Sequence, residues 1–209
     1  IELNVTTSKL DGAIGLVGDL TNPNHAEAIV SELLSAFGQL DVLVCNIGSG
    51  QSVPPGMENH QEWQRIFALN LWTTTNIVEA AKEALIANKG RIICISSICG
   101  LEVIPGAPIT YSAAKAALHA YVRGISRPFG KQGVTINAVA PGNIIFEGSV
   151  WSKKLVDDRK GVECLLRQEV PLGCFGTPSD VANLVTYLAS PLSSFATGQI
   201  WTIDGGQTH

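Results

Sequence analysis

Tyr111 and Lys115 stand four residues apart in "YSAAKAALHAY", at the start of an alanine-rich run with helical character. At that spacing the two side chains lie one turn apart on the same helix face. A phenol has an ordinary pKa of about 10, too high for free proton exchange at neutral pH, and an ammonium held beside it favours the phenolate. The pair therefore reads as a tuned proton donor and acceptor. Ser97, the second of a serine pair, lies 14 residues before the tyrosine, where the apolar run "RIICIS" ends. Asn70 falls inside a long helical stretch, "NIG" (Asn46, Ile47, Gly48) ends another apolar run, and "PGN" (Pro141, Gly142, Asn143) ends a third. Together these groups suit a reaction in which an oxygen gains negative charge and needs a hydrogen-bond donor and a proton source within about 3 Å.

Such groups act together only if the chain brings them to one place. The runs at 13–20, 40–46, 91–96, 134–140 and 199–204 read as strands, several near-continuously apolar, as in a parallel sheet buried on both faces. Between them lie helices with recognisable ends. Asn22 followed by Pro23 reads as an N-cap with proline at the first helical position, ahead of a stripe formed by Ile29, Val30, Leu33, Leu34 and Phe37. Thr177, Pro178 and Asp180 repeat that start signal before "VANLVTYLAS", and long helices are expected over about 60–88 and 109–131. The alternation predicts one α/β domain over 1–209, a doubly wound parallel sheet of the Rossmann type in three αβα layers. All the groups named above lie at strand C-terminal ends or in helices returning to them, the edge at which open α/β sheets bind ligands.

Composition excludes other classes. Hydrophobic residues make up 45% and charged residues 15% of the 209, which suits a single sizeable core and neither a disordered nor a fibrous chain. A net charge of −4 without a basic run gives no nucleic-acid or anionic-membrane footprint, and no run of 18 apolar residues offers a membrane span. Cys45, Cys94, Cys99, Cys164 and Cys174 are an odd set, and no histidine lies near Cys94 and Cys99 in sequence. Reduced thiols in a cytoplasmic protein are the expectation, with no metal site. A nucleotide-binding sheet of this kind opens with a strand, a G-x-G-x-x-G turn and a helix, and no such glycine cluster precedes Asp19. The expectation is that the polypeptide extends roughly 30 to 50 residues before Ile1, the size of a βαβ unit, and that this segment carries the phosphate-binding turn. Without it, the strand at 13–20 has no neighbour in the usual sheet order.

The series "GDLT", "CNIG", "ALN", "ISS", "YSAAK", "NAVAPGNI" and "TIDGG", running in order from about Asp11 to Gly206, resembles the short-chain dehydrogenase/reductase family. The likeness is to its single-domain type, which includes the 3-oxoacyl-[acyl-carrier-protein] reductases. The resemblance implies an NAD(P)-dependent oxidoreductase interconverting a secondary alcohol and a ketone by hydride transfer. It implies that Tyr111 is the general acid and base and that Ser97, the serine followed by two residues and Gly100, holds the substrate oxygen. Lys115 would bind the nicotinamide ribose and lower the tyrosine pKa, and Asn70 would hold a water leading from Lys115 to solvent. On the cofactor side it implies Asp19 and Leu20 near the adenine, the Asn46, Ile47 and Gly48 backbone along the cofactor, and Pro141, Gly142 and Ile144 at the nicotinamide. A strand-end aspartate is also a common cap, but Asn22 is the better cap candidate here, which favours the adenine role for Asp19. The family's mobile substrate lid corresponds to about 146–176, where Trp151 and Phe146 offer either substrate contacts or ordinary packing. Gly142 and Trp151 complete the implied substrate set with Ser97 and Tyr111. Assembly as a homodimer or homotetramer through the two long helices is also implied, with a small alcohol or ketone as the other partner. The sequence departs from the family at Cys45, where an asparagine is usual, and at Phe146, where a threonine or serine is usual. Without the glycine-rich turn, the choice between NAD and NADP stays open. The rival reading is a non-catalytic dinucleotide-binding or sensor protein on the same fold.

Overall fold

Four of the five apolar runs become strands, because each reaches a ladder partner and is covered by helices. The computed structural model describes residues 12–208. Along them run α1 (Pro23–Phe37), β1 (Val42–Cys45), α2 (His60–Phe67), a π turn (Ala68–Trp72), α3 (Thr73–Asn88) and β2 (Arg91–Ile95). A 3₁₀ turn (Ile98–Gly100), α4 (Ile109–Lys131), β3 (Thr135–Pro141), α5 (Val150–Asp157), α6 (Arg159–Glu169), α7 (Pro178–Ala189), a second 3₁₀ turn (Pro191–Ser193) and β4 (Ile200–Ile203) follow. The strands form one parallel sheet in the order β1-β2-β3-β4.

The two faces of the sheet are buried under different helices. On one side Ile92, Cys94, Ile136 and Ala138 meet Val30 of α1, Val78 and Leu85 of α3, and Leu118 and Val122 of α4. On the other, Ile93 and Val139 pack against Val181, Leu184, Val185 and Leu188 of α7. Successive side chains on a strand point to opposite faces, so a sheet covered on both must be apolar at nearly every position. That is the expected three-layer αβα arrangement.

Capping fixes where the helices begin. The Asn22 side chain accepts from the Asn24 amide, and Gly38 closes α1 in the left-handed region at φ 77°. The start signal expected at Thr177, Pro178 and Asp180 is present, and Thr177 and Asp180 form a reciprocal capping box at the start of α7. The long helix expected over 60–88 is interrupted at its middle by the π turn, with Asn70 inside it. The helix over 109–131 appears as expected.

The run at 13–20 corrects the sequence reading. Residues 13–19 form no strand, and Ile14 and Val17 are 44% and 87% exposed. An apolar segment holds a strand conformation only against a ladder, and among the described residues β1 pairs with β2 alone.

Register sets the site. Cys45 is opposite Cys94, Ile95 opposite Val139, and Pro141 opposite Ile203. The segments leaving β1, β2 and β3 therefore emerge side by side at one edge, which α4 reaches with its first two turns.

Candidate active site

The catalytic-type groups are assembled by the stretch from β2 to α4. Ser97 follows the strand end and caps the 3₁₀ turn, its Oγ accepting from the Cys99 amide at 3.2 Å. That bond leaves the Ser97 proton free to donate, and the Tyr111 phenol on the first turn of α4 lies close enough for this hydroxyl to draw its pKa down. One turn on, Lys115 is 3% exposed; its Nζ donates to the Ile95 carbonyl at 3.0 Å and lies 5.7 Å from the centre of the Tyr111 ring. Strand end, serine, tyrosine and lysine thus form one cluster.

Burial governs the charges here. It pushes the Tyr111 phenol up to about 12, against the Ser97 hydrogen bond, which pulls it down. It also pushes Lys115 down to about 8, against the nearby Cys94 and Cys99 sulfurs, which hold it up. Desolvation is thus the largest influence on the Tyr111 phenol and raises it, whereas the sequence reading has the lysine, with an oxidised nicotinamide, lowering it.

Asn70 works through protein contacts. Its Oδ1 accepts from the Ser49 amide at 3.1 Å, and its Nδ2 donates to the carbonyls of Ser49 and Ile66, each at 3.1 Å. Both amide hydrogens are used, so its side chain clamps the loop after β1 to the widened helix. A Cβ on Gly48 would lie 2.7 Å from Asn70 Oδ1 and 3.3 Å from Lys115 Nζ. Glycine at this position admits the asparagine and keeps the approach to the lysine clear. Asn46, Ile47 and Gly48 are exposed beside that approach. A nucleotide lying along backbone rather than side chains fits this arrangement.

The remaining expected residues divide. Asp19 Oδ1 accepts from the Thr21 amide and hydroxyl at 2.9 and 2.7 Å, which holds its carboxyl below the usual range and makes it a local cap. The Leu20 side chain packs against the core, while its carbonyl accepts from Asn76 Nδ2 at 2.9 Å. Pro141 is buried, Ile144 bridges to Gly176, and a Cβ on Gly142 would meet Asp204 Cβ at 2.7 Å. Gly142 is thus required by the crossing of the chain past Asp204. Trp151 packs with Phe175, ring centres 5.4 Å apart, in a small core with Val162 and Leu166, and Lys154 Nζ sits 4.6 Å from its ring. Of the two readings given for it, packing describes what the structure has; Phe146 is 55% exposed.

Sequence reasoning missed two supports. Ser52 donates to Glu62 at 2.7 Å and shares a 2.7 Å contact with buried Thr110, the residue before Tyr111; Arg65 holds Glu62 and the Gln51 carbonyl. Arg65 and Ser52 together bring the Glu62 carboxyl down to about 2. His119, one turn beyond Lys115, bonds Ser96 and Gly100. The i+4 spacing from Lys115 was its available signal.

The chain matches a family model described as enoyl-(acyl carrier protein) reductase over residues 2–208. It belongs to the short-chain dehydrogenase/reductase family. Among curated members, 3-oxoacyl-[acyl-carrier-protein] reductase FabG of Chlamydia muridarum (strain MoPn / Nigg) is 34% identical over 189 residues, 90% of this chain and 73% of its own. FabG of Rickettsia felis (strain ATCC VR-1525 / URRWXCal2) is 36% identical over 177 residues, 84% and 70% of the two chains. A solved structure of ElxO with NADP bound superposes with a TM-score of 0.83 at 30% identity, covering 91% of this chain and 76% of that one. The fold of this short-chain dehydrogenase/reductase is therefore a Rossmann-type parallel sheet flanked by helices. No helix among its described residues is long and apolar enough to cross a membrane.

Proposed function

We propose that this chain reduces a ketone to a secondary alcohol with NAD(P)H, that its substrates are 3-oxoacyl thioesters, and that Tyr111 supplies the proton. The observation carrying this reading is the single cluster at the end of β2, in which Ser97 and the Tyr111 phenol come together beside buried Lys115, whose Nζ lies 5.7 Å from the phenol ring centre. The FabG relatives support the substrate class, and the NADP-bound ElxO structure supports the cofactor.

In this mechanism the carbonyl oxygen of the substrate accepts hydrogen bonds from Ser97 and Tyr111, which fixes the carbon for attack. The hydride would come from a bound reduced nicotinamide, which would be left oxidised. As the new C–H bond forms and the C=O π bond breaks, the oxygen gains charge. The Tyr111 O–H bond then breaks toward it and gives the alcohol. A phenol with a pKa near 12 is fully protonated at pH 7, the form that reduction requires. Lys115 would hold the ribose hydroxyls of the cofactor; with a pKa near 8 it exchanges protons close to neutrality, which suits it to pass one toward Tyr111. Asn70 and Gly48 keep its ammonium accessible from the cofactor side.

We also place the protein in the cytoplasm and assign it a homodimer or homotetramer built on α2 to α4; a monomer by light scattering at micromolar concentration removes that assembly.

The test is consumption of NADPH or NADH with acetoacetyl thioesters and short β-keto esters. Steady turnover is expected, and Tyr111→Phe should lower it by about two to four orders of magnitude with cofactor affinity little changed. Cofactor binding without turnover on that panel would make the protein a dinucleotide-binding module.

A further inference from the structure

We propose that His119 is a positioning residue for Ser97, holding the serine loop from both sides through Ser96 and Gly100. The inference rests on the catalytic reading above. His119 lies on the same stripe of α4 as Tyr111 and Lys115, each a turn from the next. Its Nε2 is 2.7 Å from Ser96 Oγ, and its Nδ1 is 3.1 Å from the Gly100 carbonyl. These partners are the residue before Ser97 and the last residue of the 3₁₀ turn that Ser97 caps.

The chemistry of the partners fixes the ring. A carbonyl only accepts, so Nδ1 carries the proton and donates to Gly100. Burial keeps the imidazole neutral, pushed down to about 4, so Nε2 presents a lone pair and Ser96 donates to it. Ser96 and His119 are 4% and 3% exposed, so the bond between them is shielded from solvent. The Ser96 amide also donates to the Val139 carbonyl at 2.7 Å, and the Gly100 amide to the Ser97 carbonyl at 3.1 Å. The loop is therefore tied to β3 and α4 at its start and to α4 at its end.

Close packing leaves it nowhere to shift. A Cβ on Gly100 would lie 2.6 Å from the Lys115 carbonyl carbon and 2.7 Å from His119 Cε1. The serine loop rests directly on the helix backbone between the lysine and the histidine. Lys115 contributes a third tie through the Ile95 carbonyl. One helix face thus carries the proton donor, its cation and the clamp that aims the serine, so the Ser97–Tyr111 geometry is set within one rigid unit.

A double-mutant cycle tests this with NADPH and an acetoacetyl thioester. His119→Leu should lower kcat by about 10- to 100-fold, as expected for a misplaced catalytic group, with the KM for NADPH within about twofold. His119→Gln, which keeps one donor and one acceptor, should recover most of the loss. In a Ser97→Ala background, His119→Leu should cost less than about twofold, because the group it positions is gone. Equal losses in both backgrounds, or no loss in either, overturn the proposal. Should His119→Leu not give folded protein by circular dichroism, Ser96→Ala enters the same cycle with the same expectation. Tyr111→Phe separates the two readings: near-normal turnover there removes the catalytic reading itself, whereas a collapse there with an additive His119 cycle removes only this inference.

Discussion

Lys115 is where stability and chemistry oppose each other most directly. Its pKa in the folded chain, about 8, lies below the ordinary 10.5, so between those values the unfolded chain holds the proton and the folded chain does not. Stability must then rise with pH across that window, and below pH 8 the buried ammonium costs roughly 3 kcal/mol. Replacing Lys115 with Met should abolish turnover and yet stabilise the protein at pH 7 by about 1 to 3 kcal/mol, the bond to Ile95 being lost. In urea unfolding the gap between variant and parent should narrow as pH climbs from 8 toward 10.5; a gap that widens would mean the lysine is not desolvated. Cofactor affinity should move the other way in the parent, weakening above pH 8 as the ammonium is lost, with no such dependence in Lys115→Met by fluorescence titration. The clustering of Tyr111, Lys115 and Ser97 was legible in the sequence because their spacing survives translation into a helix and a strand end. The direction of the tyrosine shift was not legible, because desolvation depends on what the fold stacks above a side chain.

At the scale of elements, α4 is both a structural beam and the carrier of the site. Its extent was readable from an alanine-rich, periodic stretch, whereas the π turn at 68–72 was not, since no residue preference marks a one-residue widening. Close approach was equally hidden: glycines at 100 and 124 look alike in sequence, but a Cβ at 100 strikes backbone and one at 124 meets nothing within 4 Å. Gly100→Ala should destabilise by about 1 to 3 kcal/mol and depress turnover with it, since the serine loop must lift. Gly124→Ala, in the exposed interior of α4, should stabilise by about 0.5 to 1 kcal/mol by lowering the entropy of the unfolded chain. Thermal melts of the two variants check both signs. A cost at Gly124 instead would show that this face of α4 packs closely against a second copy of the chain.

For the whole molecule, the described residues cover both faces of the sheet and line an apolar groove beside β1. Val44 is 43% exposed on β1, and Leu20, Ile29, Leu33 and Leu40 line an open apolar groove beside that strand. Five apolar runs were visible in the sequence; which of them pair was not, because pairing depends on neighbours in space rather than on a run's own composition. The in-register pair Cys45 and Cys94 has a consequence of a different kind. Both free thiols are buried at the last pair of the β1–β2 ladder, and Cys45 is held well above the ordinary thiol range by its hydrogen bond to the Cys94 thiol and by burial. Cys164 and Cys174 stand exposed on the far side of the sequence. The protein thus carries its own clock: an alkylating reagent should consume the outer pair within the mixing time and reach the inner pair only when β1 and β2 separate. The slow phase, followed by mass spectrometry, measures how often the sheet opens under native conditions.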